Sequence, residues 1–336
     1  MFDLELNVKN FLAIREANIK SKNNITVIVA PNGAGKTQIM LLLYAIFWTC
    51  WKISKENGSF EPELKRKIED VFLLKSVDEI VSWDKDSCSV ELSSDLLYIT
   101  FNSKPFKLEK LNTKDSDSRY IEKSPIYLQL SGLGDYYKGI YSLKKYYPHW
   151  KLISEAVSDL LTDIFILYSG KANTENKNQH LLEIFERLFN SKFYIQNDRI
   201  YINEKEKKYG VEKAASGLKV LSWFYLILRY DLVGDVLFID EPEVNLHPMY
   251  IDKLAYFLYE LSKSRKIFVA THSDYLLESF NKLMNKQDFR IDVWNGTLKE
   301  DGMIYTSYQA DKDNLIDTSP LTDVYLDILK EGFGNE

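Results

Sequence analysis

From its first residues the chain alternates apolar and polar positions (Phe2, Leu4, Leu6, Val8), the period-two pattern of a strand with one buried face. Residues 25–29, ITVIV, instead form an unbroken run that ends in Pro31-Asn32-Gly33, which predicts a central strand buried on both faces. Beyond Lys36 the apolar residues crowd together as IMLLLYAIFWTCW, the pattern of a buried helix. A charged amphipathic helix is expected around 61–75. Short alternating runs at 89–92, 96–101 and 106–108 then predict a small antiparallel elaboration. Polar stretches at 112–124 and 170–180 read as exposed loops, the second flanked by helical patterns at 149–168 and 179–190. A strand is expected at Ile126–Leu128, and a hairpin pairs 193–195 with 200–202 about Gln196-Asn197-Asp198.

The pattern then changes. A helix from Ser216 to about Arg229 is followed by a strand at 236–239, a helix at about 249–263, a strand at 266–270 and a helix from Asp274. Strict alternation of this kind predicts a parallel sheet with crossover helices. Strands at 289–294 and 303–308 and a helix at about 321–330 are expected in the remainder.

Composition narrows the function. At 336 residues, 45% apolar and 27% charged, the chain has ample material for a core. Its net charge of −6, from 43 basic and 49 acidic residues, excludes a frankly basic nucleic-acid binder but not a local basic patch. The basic runs Lys65-Arg66-Lys67, Lys144-Lys145 and Lys205–Lys208 have acidic neighbours, which favours solvated charged faces. Two cysteines and four histidines form no zinc-type spacing. The longest uncharged stretch, Thr37–Trp51, is shorter than the ~20 residues of a membrane span, and the acidic N-terminus is unlike a leader, so a cytoplasmic location is expected.

The chemistry concentrates in four places. Residues 30–37, APNGAGKT, stand between the ITVIV strand and the apolar helix. That context suits a phosphate-binding loop, because successive backbone N–H groups at a helix start cradle phosphate oxygens and the helix dipole favours their charge. Asn32, Gly33, Ala34 and Gly35 would form the cradle, Lys36 would reach the outer phosphates, and the Thr37 hydroxyl would hold Mg²⁺. Ala30 departs from the usual first glycine, so the turn there must be one that alanine can adopt. VLFIDEPEVNLHP (236–248) places Asp240 and Glu241 at the end of a buried strand: Asp240 suits Mg²⁺, and Glu241 suits orienting and deprotonating a water. KIFVATHS (266–273) sets His272 at the end of the next strand, a plausible γ-phosphate contact. Ser216-Gly217 opens a long helix, a second anion-binding N-terminus or simply a helix cap.

In this order the four elements resemble the ABC-type ATPases, within them the RecF/SMC/OLD-like branch, and especially its stand-alone AAA-family ATP-binding proteins. APNGAGKT corresponds to Walker A, VLFIDEP to Walker B with its catalytic glutamate, ASGLK (215–219) to a degenerate signature and ATHS to the switch-histidine region. The resemblance implies an α/β P-loop NTPase fold: an ABC-ATPase head with a mixed or parallel core sheet and helices on both faces. Residues 1–52 and 205–336 would form the ATPase core, and 53–204 an inserted α+β and helical lobe. It implies ATP and Mg²⁺ as cofactors, and a head-to-tail homodimer in which Ser216 and Gly217 contact, in trans, the ATP held by Lys36. Gln38 and Gln129 are both candidates for the glutamine loop, Gln129 as a further Mg²⁺ contact. The second glycine of the signature is missing, and His247 stands where transporter heads carry Asp.

After His272 only 64 residues remain, too few for a domain-sized Toprim nuclease of ~100 residues, and Asp311, Asp313 and Asp317 read as a solvated loop. The expected function is an ATP-switched ATPase of DNA repair, genome maintenance or anti-phage defence, with possible DNA contact and a separate effector. Its alternatives are the nucleotide-binding subunit of a transporter, which predicts a full signature and the missing Asp, and an ATP-dependent interaction protein with little turnover.

Overall fold

In a computed structural model, residues 2–318 are described apart from 57, 96, 114–120, 131–138, 140–145, 148–152, 169–176, 198 and 205–206. The expected final helix at 321–330 and the Lys144-Lys145 run lie outside them, as does Lys205.

β1 (Leu4–Phe11) and β2 (Ile14–Ser21) form a hairpin. β2 is not anticipated by the hydrophobic pattern, because IREANIKS carries three charges among its apolar residues. β3 (Ile25–Val29) is buried at all five positions and leads through the glycine loop into α1 (Lys36–Lys55). α2 (Phe60–Val71) stops short of the sequence estimate, and a single 3₁₀ turn, Val77–Ile80, follows, closed by a reciprocal Ser76–Glu79 capping box.

β4 (Cys88–Ser94), β5 (Leu97–Ser103) and β6 (Lys107–Thr113) are the expected antiparallel strands, and β7 (Ile126–Gln129) comes after them. α3 (Glu155–Tyr168) and α4 (Gln179–Phe189) flank the polar stretch. β8 (Ser191–Gln196) and β9 (Arg199–Glu204) make the expected hairpin, to which β10 (Lys207–Gly210) adds a third strand. The alternating section then runs α5 (Ser216–Arg229), β11 (Val236–Asp240), α6 (Pro248–Ser262), β12 (Lys266–Thr271) and α7 (Asp274–Met284). It is followed by β13 (Ile291–Lys299) and β14 (Gly302–Ala310).

Eleven strands form one mixed sheet in the order β6-β5-β4-β1-β2-β14-β13-β3-β12-β11-β7. β13, β3, β12, β11 and β7 are parallel, which explains why β3, β11 and β12 are buried throughout: crossover helices cover both faces. β6, β5, β4 and β1 are antiparallel. The stretch 53–204 therefore supplies β4–β6 to one end of the main sheet and β7 to the other.

The core is aromatic along its middle. Phe238 of β11 meets Tyr44 and Phe47 of α1 and stacks on Phe268 of β12, which in turn meets Trp294 of β13. A second aromatic group gathers Phe185 of α4, Tyr225 of α5 and Phe257 of α6. Parallel register brings Gln129, Asp240, Ala270 and Ile28 onto one level, so the carboxyl ends of four strands open side by side. Ligands of open α/β sheets bind at that edge.

Candidate functional site

The glycine loop is built as its sequence requires. Gly33 and Gly35 have φ of 74° and 88°, the left-handed region that glycine occupies without strain. A Cβ on Gly35 would also lie 3.0 Å from the side chains of Ile14 and Gln38. Asn32 and Gly33 are exposed, whereas Ala34, Gly35 and Lys36 are buried.

The departure at Ala30 has a structural counterpart. Ala30 is not among the left-handed residues, and β13 pairs Asn295 with Val29, which sets Gly296 level with it. A Cβ on Gly296 would come within 2.7 Å of the Ala30 methyl and 2.8 Å of the Tyr305 ring. The space lost to alanine at one position is thus recovered by glycine on the neighbouring strand. Tyr305 also donates its hydroxyl to the Ala34 carbonyl at 3.0 Å, which ties the loop to β14. Neither residue is marked by a sequence motif.

Lys36 is only 6% exposed. Its ammonium donates to the carbonyls of Ala30 (2.7 Å) and Pro31 (3.0 Å) and lies 3.2 Å from His272 Nδ1. Burial draws its pKa down to about 8, against the opposing pull of Asp240, Glu241 and Glu243. The pKa of His272 is also lowered, by burial first and then by the Lys36 charge. A neutral imidazole therefore fits both its contacts: Nδ1 accepts from Lys36, and Nε2–H donates to Glu241 Oε1 at 3.2 Å. That second contact is a hydrogen bond rather than a salt bridge.

Asp240 Oδ2 accepts from Thr37 Oγ1 and from the Tyr127 hydroxyl, each at 2.8 Å. Burial raises the Asp240 pKa, and these two bonds oppose the shift. Thr37, Asp240 and the carboxyl-edge Gln129 offer oxygen ligands only, the donor chemistry that suits Mg²⁺. Gln129 stands in register with Asp240, while Gln38 accepts from the Ala13 backbone N–H at 3.1 Å. Tyr127 is a site residue that the sequence pattern misses, since a tyrosine in a short apolar strand reads as core.

Glu241 has φ of 51°, an uncommon value for a residue of its kind, although its backbone N–H still continues the sheet by donating to the Ala270 carbonyl. Its side chain is 40% exposed, open enough to meet a water. Two residues on, Glu243 Oε1 accepts from Thr271 Oγ1 (2.6 Å) and from the His272 backbone N–H (3.2 Å).

Ser216 and Gly217 open α5, whose start has no side-chain cap, and Ser216 is exposed. A Cβ on Gly217 would lie 2.9 Å from the Asn245 carbonyl oxygen, so glycine lets α5 approach the loop after β11. His247 caps α6, its Nδ1 accepting from the Met249 N–H at 3.3 Å. Of the basic runs, Arg66 and Lys67 are engaged with Glu63, Asp70, Glu155 and Asp159, and Lys67 is fully buried. Asp311 accepts from the backbone N–H groups of Asp313 and Asn314, and among the described residues no three or more His, Cys, Asp or Glu side chains gather in a group that could hold a metal ion. No helix of the described residues is long and apolar enough to cross a membrane.

Known proteins resemble the chain in sequence and in fold. The family described as "AAA domain, putative AbiEii toxin, Type IV TA system" matches residues 112–278. The Septu protein PtuA of Bacillus thuringiensis is 20% identical over an alignment of 308 residues that covers 82% of this chain and 72% of that protein. Among solved structures, the SMC head domain from Thermotoga maritima aligns with a TM-score of 0.51 at 14% identity, over 90% of this chain and 98% of its own. An Smc head domain with an extended coiled coil, bound to the C-terminal domain of ScpA and derived from Pyrococcus furiosus, gives 0.53 at 13% identity, over 99% and 100%. The chain thus shares the α/β fold of the SMC head domains, and its residues 112–278 are similar to the AAA-domain family.

Proposed function

We propose that the protein binds ATP with Mg²⁺, dimerises head to tail around it and hydrolyses it, the nucleotide state acting as a switch. One observation carries this reading: Lys36, His272 and Glu241 are joined in a single hydrogen-bonded series beside Thr37 and Asp240. Lys36 would draw charge from the outer phosphates, and His272 would sense the terminal one. Glu241 would orient the attacking water and take its proton. Thr37 and Asp240, with Gln129 beside them, would hold Mg²⁺, which when bound neutralises phosphate charge. Ser216 and Gly217 of a second copy, at an uncapped helix start, would complete the cradle from outside.

The process we propose is anti-phage defence or genome maintenance, with a separate effector protein and a possible DNA contact. The likeness to a Septu protein, and to a family described by a toxin of a type IV toxin–antitoxin system, supports the defence side of it.

Glu241→Gln tests the central claim. Turnover should fall by about 100-fold or more, since general-base catalysis contributes on that order, and an ATP-bound dimer should accumulate on size-exclusion chromatography. A monomer with ATP and Mg²⁺ present counts against the switch, and unchanged turnover counts against the role of Glu241.

A further inference from the structure

Glu243 has no assigned part in the chemistry, yet its side chain holds the segment bearing His272 and its turn lies against the start of α5. It lies in the turn after β11, where Val244 N–H donates to the Glu241 carbonyl and Leu246 N–H to that of Glu243. Its Oε1 holds the end of β12 through the Thr271 hydroxyl at 2.6 Å and the His272 backbone N–H at 3.2 Å. Thr271 Oγ1 then accepts from the Ser273 N–H at 2.9 Å, so the segment that carries His272 is fixed on both sides. At its far end the same turn lies against α5: the Asn245 carbonyl and the Leu246 side chain occupy the space that a Cβ on Gly217 would need. Glu241 and Asn245 both have positive φ, so the turn holds a particular shape rather than a relaxed one.

We propose that Glu243 is a positioning residue for hydrolysis: its carboxyl clamps the segment bearing His272, and its turn links that segment to the helix start bearing Ser216 and Gly217. A second copy pressing on that helix start would be felt at His272 through one short turn. The inference rests on the ATPase reading above and adds a residue to it.

Oε2 of Glu243 is buried and has no hydrogen-bond partner among the described residues, and burial raises the Glu243 pKa. Only Oε1 is needed to accept both bonds. A glutamine can supply the same acceptor, whereas an alanine cannot, and an aspartate falls one methylene short.

The experiment compares Glu243→Ala, Glu243→Gln, Glu243→Asp and Thr271→Val with wild type and with Glu241→Gln in the full chain. Steady-state turnover, ATP affinity measured separately by fluorescent-nucleotide titration, and the His272 ring resonances in a histidine-labelled NMR sample are followed together. Glu243→Ala and Glu243→Asp should lower kcat by about 10- to 100-fold, the scale of a misplaced catalytic group. ATP affinity should stay near wild type and the His272 resonances should move. Glu243→Gln should restore both kcat and the resonances, and Thr271→Val should reproduce part of the alanine effect. If Glu243→Ala does not fold, Glu243→Gln and Thr271→Val decide the matter. Wild-type kcat and an unmoved His272 in Thr271→Val, or a Glu243→Gln as impaired as Glu241→Gln, overturns the clamp. A Glu241→Gln protein that still turns over ATP normally would instead sink the hydrolytic reading on which the clamp depends.

Discussion

The two halves of the candidate ATP site differ in how their polar groups are employed. Around the glycine loop nearly every group has an internal partner: Lys36 with two loop carbonyls and His272, Thr37 and Tyr127 with Asp240, and Gln38 with Ala13. At the start of α5 the reverse holds, for Ser216 is exposed and no side chain caps the helix. A preorganised cradle can bind a triphosphate by exchanging internal partners for phosphate oxygens. An uncapped helix start held outward offers its free N–H groups to something beyond its own chain. The contrast favours a division of labour in which one half binds and the other reads the bound state.

Separating the halves by mutation is the strongest test of that division. Lys36→Ala should weaken ATP binding by about 10- to 100-fold, the worth of charged hydrogen bonds to phosphate, and dimerisation should go with it. Ser216→Arg should leave ATP binding by the isolated chain essentially intact while abolishing the ATP-dependent dimer. Isothermal titration calorimetry and light scattering on the same samples separate the two effects. If Ser216→Arg loses ATP affinity as severely as Lys36→Ala, the halves are one site in one chain and the comparison fails.

A smaller effect probes how the cradle is shaped. Gly296→Ala forces a methyl against Ala30 and the Tyr305 ring and should cost about 1–3 kcal/mol by overpacking. Placing the motif's usual glycine in the double variant, Ala30→Gly with Gly296→Ala, should recover the part of the loss that comes from the Ala30 methyl, a coupling that a double-mutant cycle reads from thermal or denaturant melts. Additive costs would mean that Ala30 and Gly296 do not compensate one another.

That pair also marks where the sequence stops being legible. Lys36, Thr37, Asp240, Glu241 and His272 are readable because each stands at the end of a hydrophobic strand or the head of a helix, positions that local pattern locates well. Gly296, Tyr305 and Tyr127 reach the site through strand register, which joins residues more than a hundred positions apart and leaves no local trace. β2 is missed for a related reason: Glu16 and Lys20 point outward on a strand held by β1 and β14, so its own pattern understates it. The placement of β4–β7 within the main sheet is likewise set by pairing, while their existence as strands follows from alternation alone.

The subtlest consequence of the contrast concerns protons. Because burial draws the pKa of Lys36 down to about 8, the unliganded lysine is charged below that pH and increasingly neutral above it. Phosphate oxygens favour the charged form, so binding draws a proton onto Lys36 wherever the free protein has lost it. Apparent ATP affinity should therefore fall as pH rises through about 8, and proton uptake on binding should grow between pH 7 and pH 9. The Ser216 side chain carries no acid or amine, so Ser216→Ala should show the same uptake. Calorimetry in two buffers of different ionisation enthalpy measures it directly. Uptake that does not change over this range would mean that Lys36 stays charged throughout and that the cradle is less desolvated than its packing implies.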